Sequence, residues 1–422
     1  MKADRYVANC RDAVPVVRGN NISDTKELEG DLVFVSKETA DELRSANVFP
    51  GDLIFPHRGL IGQVGIVPKN AWERYVLSTS LMKLTCHPEL ADPLFVFYFF
   101  RAPRGKHELL KHASQVGTPG IATPLTSLRS IRLMLPPLPE QRAIAHVLGT
   151  LDDKIELNRR TNQTLEAIAR ALFTSWFVAF DPVRAKAEGR QPAGMDAATA
   201  VLFPDEFEES EVGQLPKGWR SASFAQTVVI FGGGTPKTSR PDYWNGDIPW
   251  FSVVDAPHHG DVFVMDTEKK ITAAGLENSA ARLLPTGTTI LSARGTVGRV
   301  ALTAVEMTMN QSCYALRPRN HSSEIYTYYS TRSLVALLRQ RSHGSVFDTI
   351  TRSTLESVPV VVPEETVVHR FDEVVKPLLL RIKASLRESA TLRILRDNLL
   401  PRLLSGELRV PDAERLVAQE PV

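Results

Sequence analysis

A chain of 422 residues, 43% of them hydrophobic, is long enough for two to four domains, each able to bury its own core. Its 50 basic and 48 acidic side chains leave a net charge of +2, which excludes a uniformly basic surface and makes any polyanion-binding face a local one. Three scattered cysteines (Cys10, Cys86, Cys313) argue against a disulfide framework, and with no signal-like opening or membrane-length apolar run the expectation is a soluble cytoplasmic protein.

Residues 1–138 read as a first globule. Its short apolar runs, such as Leu32-Val33-Phe34-Val35 and Asp52-Leu53-Ile54-Phe55, are broken by Gly and Pro as strands and turns are. The apolar residues 95–110 predict a helix inserted among them. Pro139-Glu140-Gln141-Arg142 then opens a helical pattern that fills most of residues 139–180. Residues 181–214, where Ala, Gly, Pro and Glu are prominent, read as a linker. Residues 215–362 form a second globule, with 323–341 as its helix. Pro363-Glu364-Glu365-Thr366 opens a second long helix within 363–408, and residues 409–422 are a tail.

The chain is an approximate duplication. Arg58-Gly59-Leu60-Ile61-Gly62 is answered by Arg294-Gly295-Thr296-Val297-Gly298. Pro15, Ser80, Leu84, Gly117, Leu128, Ser130 and Pro139 match Pro249, Ser312, Leu316, Gly344, Leu355, Ser357 and Pro363 in order. The separation drifts from about 236 to 224 residues, which puts the length differences in loops. The second globule has more residues before Pro249 than the first has before Pro15, so the first is expected to lack opening strands.

The central helix carries a seam spaced alternately by four and three: Ile144, Leu148, Leu151, Ile155, Asn158, Asn162, Leu165, Ala169, Leu172, Trp176. The distal helix carries another: Val368, Phe371, Val375, Leu378, Ile382, Ser385, Ser389, Leu392, Arg396, Leu399, Leu403. Each seam needs a partner. It is either the other helix or the helix's own globule. Both seams turn polar midway, so an antiparallel pairing brings the polar middles together, and polar seam residues fix register at a cost in stability. Pro377 is expected to kink the distal helix or leave a carbonyl unpaired. Helices of this length reach about 60 Å, against about 34–36 Å for one DNA turn.

Five stretches carry a resemblance: Pro137-Leu138-Pro139-Glu140-Gln141-Arg142-Ala143-Ile144-Ala145; Leu151-Asp152-Asp153-Lys154-Ile155-Glu156-Leu157-Asn158; Leu215-Pro216-Lys217-Gly218-Trp219; the segment from Gly233-Gly234-Thr235-Pro236-Lys237 through Pro249-Trp250; and Asn398-Leu399-Leu400-Pro401-Arg402-Leu403-Leu404-Ser405-Gly406-Glu407-Leu408. In this order they resemble the specificity subunit of a type I restriction-modification enzyme. The resemblance implies an α+β fold: two similar α/β target-recognition domains separated by two long helices packed as an antiparallel coiled coil. It also implies a non-catalytic chain that reads a bipartite site in double-stranded DNA. Two methyltransferase subunits would dock on its helices, with restriction subunits added to them. S-adenosylmethionine, ATP and magnesium would belong to those partners, and no cofactor to this chain.

On that reading, DNA contacts fall on loops rich in Arg, Lys, Asn, Ser and Thr. Lys237, Thr238, Ser239 and Arg240 make a basic, hydroxyl-rich loop suited to phosphate, or simply a solvated one. Arg58, with His57 beside it, and Arg294 each precede a glycine that allows close backbone approach to DNA; alternatively the glycines only shape a turn. Arg18, Asn20 and Asn21 correspond to residues 252–255 and are candidates for base edges. His258-His259 has no further ligand at metal-binding spacing. Phe231-Gly232-Gly233-Gly234 is followed by no helix, unlike a cofactor loop, and no GxxxxGK[ST] motif is present. Two other readings stand beside the leading one. Pro241-Asp242 with Glu268-Lys269-Lys270 has the spacing of a metal-dependent nuclease, and the seams alone fit a coiled-coil adaptor without DNA function.

Overall fold

The computed structural model describes residues 5–23, 25–69, 72–114, 118–258, 260–319, 323–341 and 349–419. Gly117 and Gly344 of the repeat, and His259, lie outside them. The chain divides into two units: Met1–Leu157 with Glu388–Val422, and Asn158–Arg387.

In the first unit, strand Val14–Val17 lies between antiparallel Val33–Val35 and parallel Tyr75–Leu77, with Asn47–Val48 outermost. A second sheet sets Leu53–Pro56 between antiparallel Gly65–Ile66 and Leu81–Leu84. Leu53, Ile54, Phe55 and Pro56 are all buried, which is why the sequence there is apolar without alternation. The helix expected over residues 95–110 is instead two, Pro93–Arg101 and Pro103–Leu110. Pro103 has no N–H to give and holds Ala102 extended (ψ 154°), so the helix restarts there. Asp92 starts the first of them, its carboxylate accepting from the N–H groups of Leu94 and Phe95 at 3.0 Å.

The second unit repeats the central strands of this plan, with the bridge Leu284 to Met307 in the place of strand Asn47–Val48. Trp244–Phe251 lies between antiparallel Lys270–Ile271 and parallel Thr308–Met309. The register is the same: Val16 faces Val76 as Trp250 faces Thr308, and Leu53 faces Ile66 and Leu84 as Thr289 faces Leu302 and Leu316. Its larger sheet is five-stranded, with Val228–Gly232 added beside Cys313–Pro318 and Phe263–Val264 added beside Val300–Thr303. Arg220–Ser223 also pairs with Pro359–Val362. Among the described residues of the first unit none of these three additions has a counterpart.

Two long helices, central Leu138–Phe177 and distal Glu365–Ser405, contribute to both units. In the first unit Ile144, Leu148, Leu151 and Ile155 share a core with Leu403, Leu399 and Leu392. In the second unit Ala169, Phe173 and Trp176 share a core with Ile382, Val375 and Phe371. In the first unit Asp152 bonds Arg396 and Lys154 pairs with Glu388, rising numbers on one helix against falling numbers on the other, so the packing is antiparallel. The polar middle is buried too. In the second unit Asn158 donates to the Ser385 carbonyl over a long 3.5 Å, and Asn162 donates to Asp261 at 3.2 Å. The distal helix runs unbroken through Pro377, which is exposed and leaves its missing bond on the solvent side.

Two stretches depart from expectation. Residues 181–214, read as a linker, fold into helices Asp181–Ala187 and Ala197–Val201 and a hairpin of Phe207–Ser210 with Gly213–Pro216. Val183, Phe203 and Leu215 pin them to the core that holds Trp176 and Trp219. The tail contains helix Val410–Gln419, with Ala413 fully buried among the first unit's core residues.

Candidate nucleic-acid interface

Strand order decides which turns meet. In the second unit Gly232 faces Tyr314 and Ser292 faces Cys313, so the turns after Gly232 and Ser292 and the turn before Cys313 leave the sheet at one end. The Asn310 N–H donates to the Phe251 carbonyl at 2.9 Å, which adds the turn after Phe251. One rim therefore gathers residues 233–240, 252–255, 293–299 and 310–312. The first unit builds the same rim with matching bonds. Ser78 donates to the Val17 carbonyl at 2.9 Å, and His57 donates to Ser80 at 2.9 Å as Ala293 does to Ser312 at 2.8 Å. That rim gathers residues 18–21, 57–62 and 78–80.

The predicted residues fall on these rims with different freedom. Arg58 and Arg294 are exposed, and among the described residues neither guanidinium has a hydrogen bond or ion pair. Each precedes a left-handed glycine, Gly59 (φ 78°) or Gly295 (φ 74°), with open space where a side chain would stand. Each also makes a backbone bridge, Arg58 to Gly120 and Arg294 to Thr349. The turns are thus fixed while the side chains stay free. His57 is half-buried and its ring bonds the Thr79 carbonyl at 3.0 Å, so it braces its turn.

Asn20 is exposed, but Asn21 is not a base-edge candidate. It is 1% exposed, accepts from Arg18 N–H at 3.0 Å and donates to Glu29 at 2.8 Å, which spends its amide on the loop. The equivalent bond in the second unit joins Ser252 N–H to Asp255 at 2.7 Å. Arg18 itself is half-buried and bonds the Asp31 carbonyl at 2.8 Å.

Lys237, Thr238, Ser239 and Arg240 are all exposed. Arg240 is already engaged: it forks onto Asp242 at 2.9 and 2.7 Å and lies 4.8 Å over the Tyr243 ring. The same pairing holds the Asp242 carboxyl below its ordinary range. The preceding glycines serve packing, not phosphate. A Cβ on Gly233 would stand 1.9 Å from the Asn310 carbonyl oxygen, and one on Gly234 would stand 2.2 Å from the Ala280 backbone. Two exposed polar residues on the rims went unread in the sequence, Thr79 and Gln311. The signal was there: each immediately precedes a serine of the matched pair Ser80 and Ser312.

The nuclease spacing does not assemble a site. The Asp242 carboxylate is taken by Arg240, and among the described residues no three His, Cys, Asp or Glu side chains gather to hold a metal. Nor is any described helix long and apolar enough to cross a membrane.

A family model described as the type I restriction modification DNA specificity domain matches residues 10–167 and again residues 216–382. The chain belongs to this specificity family. It is 29% identical over 382 residues to the type I restriction enzyme HindI specificity subunit of Haemophilus influenzae, covering 80% of this chain and 82% of that protein. It is 32% identical over 180 residues to the MjaIX specificity subunit of Methanocaldococcus jannaschii, covering 40% and 42%. The crystal structure of a type I restriction-modification system S subunit from M. genitalium shares the fold, with a TM-score of 0.53, 13% identity and coverage of 96% of this chain and 91% of that one. Two family-like stretches prove to be internal anchors. Gln141 of the Pro139-Glu140-Gln141-Arg142 stretch is 1% exposed, and Trp219 of the Leu215-Pro216-Lys217-Gly218-Trp219 stretch is 3% exposed with its ring 5.9 Å from that of Phe180.

Proposed function

We propose that this chain is the DNA-reading specificity subunit of a type I restriction-modification complex, without chemistry of its own. Each domain, within residues 1–138 and 215–362, reads one half of a split site in double-stranded DNA. The long helices carry two methyltransferase subunits, to which two restriction subunits are added. S-adenosylmethionine, ATP and magnesium act with those partners. The observation that supports this most is the duplicated rim. The same turns recur in the same register, and each carries an arginine, Arg58 or Arg294, without a side-chain partner among the described residues and next to a left-handed glycine. Two related surfaces suit two half-sites, with phosphate contacts setting affinity and a few base-edge contacts setting sequence.

Methylation-sensitive sequencing of host DNA tests this, comparing cells with and without an intact copy of the gene. A split motif, methylated only when the chain is present, is expected. An uninterrupted motif, or unchanged methylation, overturns the reading. A second reading, a coiled-coil adaptor, predicts no DNA binding even with the methyltransferase subunit present.

A further inference from the structure

Each unit buries one carboxylate of the central helix against an arginine from its own recognition domain. In the first unit Asp152, 6% exposed, accepts from Tyr98 Oη at 2.7 Å and from Arg101 at 3.1 Å. The distal helix adds Arg396 at 2.6 Å, so three donors converge on one carboxylate. In the second unit Glu166, 2% exposed, is bonded by Arg332, with Arg170 of its own helix 3.9 Å away. Tyr98-Phe99-Phe100-Arg101 and Tyr329-Ser330-Thr331-Arg332 occupy corresponding places in the repeat, on the helix that each domain lays against the central one. Tyr98 and Tyr329 are fully buried, but only Tyr98 reaches its carboxylate: among the described residues Tyr329 Oη has no hydrogen-bond partner, so the second clamp rests on Arg332. A tyrosine and an arginine three apart stand on one helical face.

We propose that these two clamps are positioning devices. Each locks a recognition domain at one axial and rotational setting on the central helix, and so makes the complex selective for one spacer between half-sites. The inference rests on the DNA-reading function proposed above. The reason lies in how charge and apolar packing differ. Leucine seams tolerate small slips, because neighbouring residues offer similar surface. A buried carboxylate tolerates none, because moving away from its arginine leaves both charges dehydrated and unpaired. Replacing a buried ion pair with apolar residues often costs no stability, so such a pair adds definition of geometry more than stability. Both carboxylates are buried, while the arginines that reach them are partly exposed, and Arg396 also pairs with Asp397.

The test uses the full chain assembled with its methyltransferase subunits. DNA carrying the cognate half-sites is presented with the natural spacer and with spacers one base pair shorter and longer, and binding is measured in competition. The variants are Asp152→Asn, Glu166→Gln, Tyr98→Phe and Arg332→Lys. In Asp152→Asn and Glu166→Gln the preference for the natural spacer should fall by about fivefold or more, while affinity for the natural target stays within about threefold. Arg332→Lys, which keeps charge but loses the planar fork, should fall between wild type and Glu166→Gln. Should Asp152→Asn fail to fold, Tyr98→Phe removes one donor of three and carries the same expectation in the first unit. Unchanged spacer ratios alongside lowered thermal stability would make the clamps merely structural and overturn the proposal. So would an equal loss of affinity at every spacer. Wild type that binds no DNA overturns the functional reading as well, whereas wild type with a sharp spacer preference shared by the variants overturns this inference alone.

Discussion

Gln141, near the start of the central helix, accepts the backbone N–H of Asp92 at 2.9 Å and donates to the Leu90 and Pro136 carbonyls at 3.0 and 2.8 Å. One buried amide thus ties the helix start to the loop that launches helix Pro93–Arg101. In the distal helix the same place is held by Glu365, which is exposed and bonds only His369 at 3.3 Å among the described residues.

This difference predicts an asymmetric response to truncation. Gln141→Ala takes the partner from two carbonyls and one N–H at a part-buried junction, at a cost of about 1 kcal/mol or more. Glu365→Ala removes only a solvated contact and should move stability by less than about 0.5 kcal/mol. Urea unfolding of both variants checks this, and equal midpoints would refute the anchoring role.

The polar seam predicts a gain. Among the described residues Ser385 Oγ is buried with no partner, while its backbone carbonyl takes the Asn158 bond. Ser385→Ala keeps that bond and removes the unpaired hydroxyl, so it should stabilise by about 0.5–1 kcal/mol. Thermal unfolding reads the change. A loss of stability would mean that the hydroxyl has a partner after all.

How much of this was legible beforehand depends on how far apart the interacting residues lie. The long helices were readable because their seams repeat within the helix itself, from Ile144 to Trp176 and from Val368 to Leu403. The turn at Gly295 was readable because it echoes the one at Gly59. Residues 181–214 misled because their helices are too short for periodicity, and Val183 and Phe203 stand alone in an Ala- and Pro-rich background. Asn21 misled because an asparagine looks the same whether its amide faces DNA or the Glu29 carbonyl. The Arg332–Glu166 pair was invisible because its members come together only through the fold.

Asp372 gives a pH dependence. Burial raises its carboxyl above the ordinary 3.8, although the Ser323 hydroxyl that donates to it works the other way. The folded chain therefore holds this proton more tightly than the unfolded chain. The contribution to stability is full below the ordinary carboxyl range and is lost as pH rises through the raised value. Asp372→Asn keeps an acceptor for Ser323 and never ionises. It should be at least as stable as wild type at neutral pH, with the difference closing near pH 4. Urea unfolding at the two pH values decides, and a variant weaker at neutral pH alone would contradict the sign.

The rims predict how DNA affinity responds to salt. Arg58 and Arg294 are exposed and free of protein partners among the described residues, so each can neutralise a phosphate without first giving up a bond. Arg58→Ala and Arg294→Ala should each lower the slope of log affinity against log salt by about one, with thermal unfolding unchanged. Arg240 differs, because Asp242 holds its fork at 2.9 and 2.7 Å. Arg240→Ala should therefore cost less affinity than Arg294→Ala. Asp242→Asn removes the competing charge from the same loop, so it should raise affinity at low salt and lose that gain at high salt. Fluorescence anisotropy of the full complex with its target, titrated across salt, measures all four variants. Salt slopes left at the wild-type value in both Arg58→Ala and Arg294→Ala would place the DNA elsewhere than on these rims.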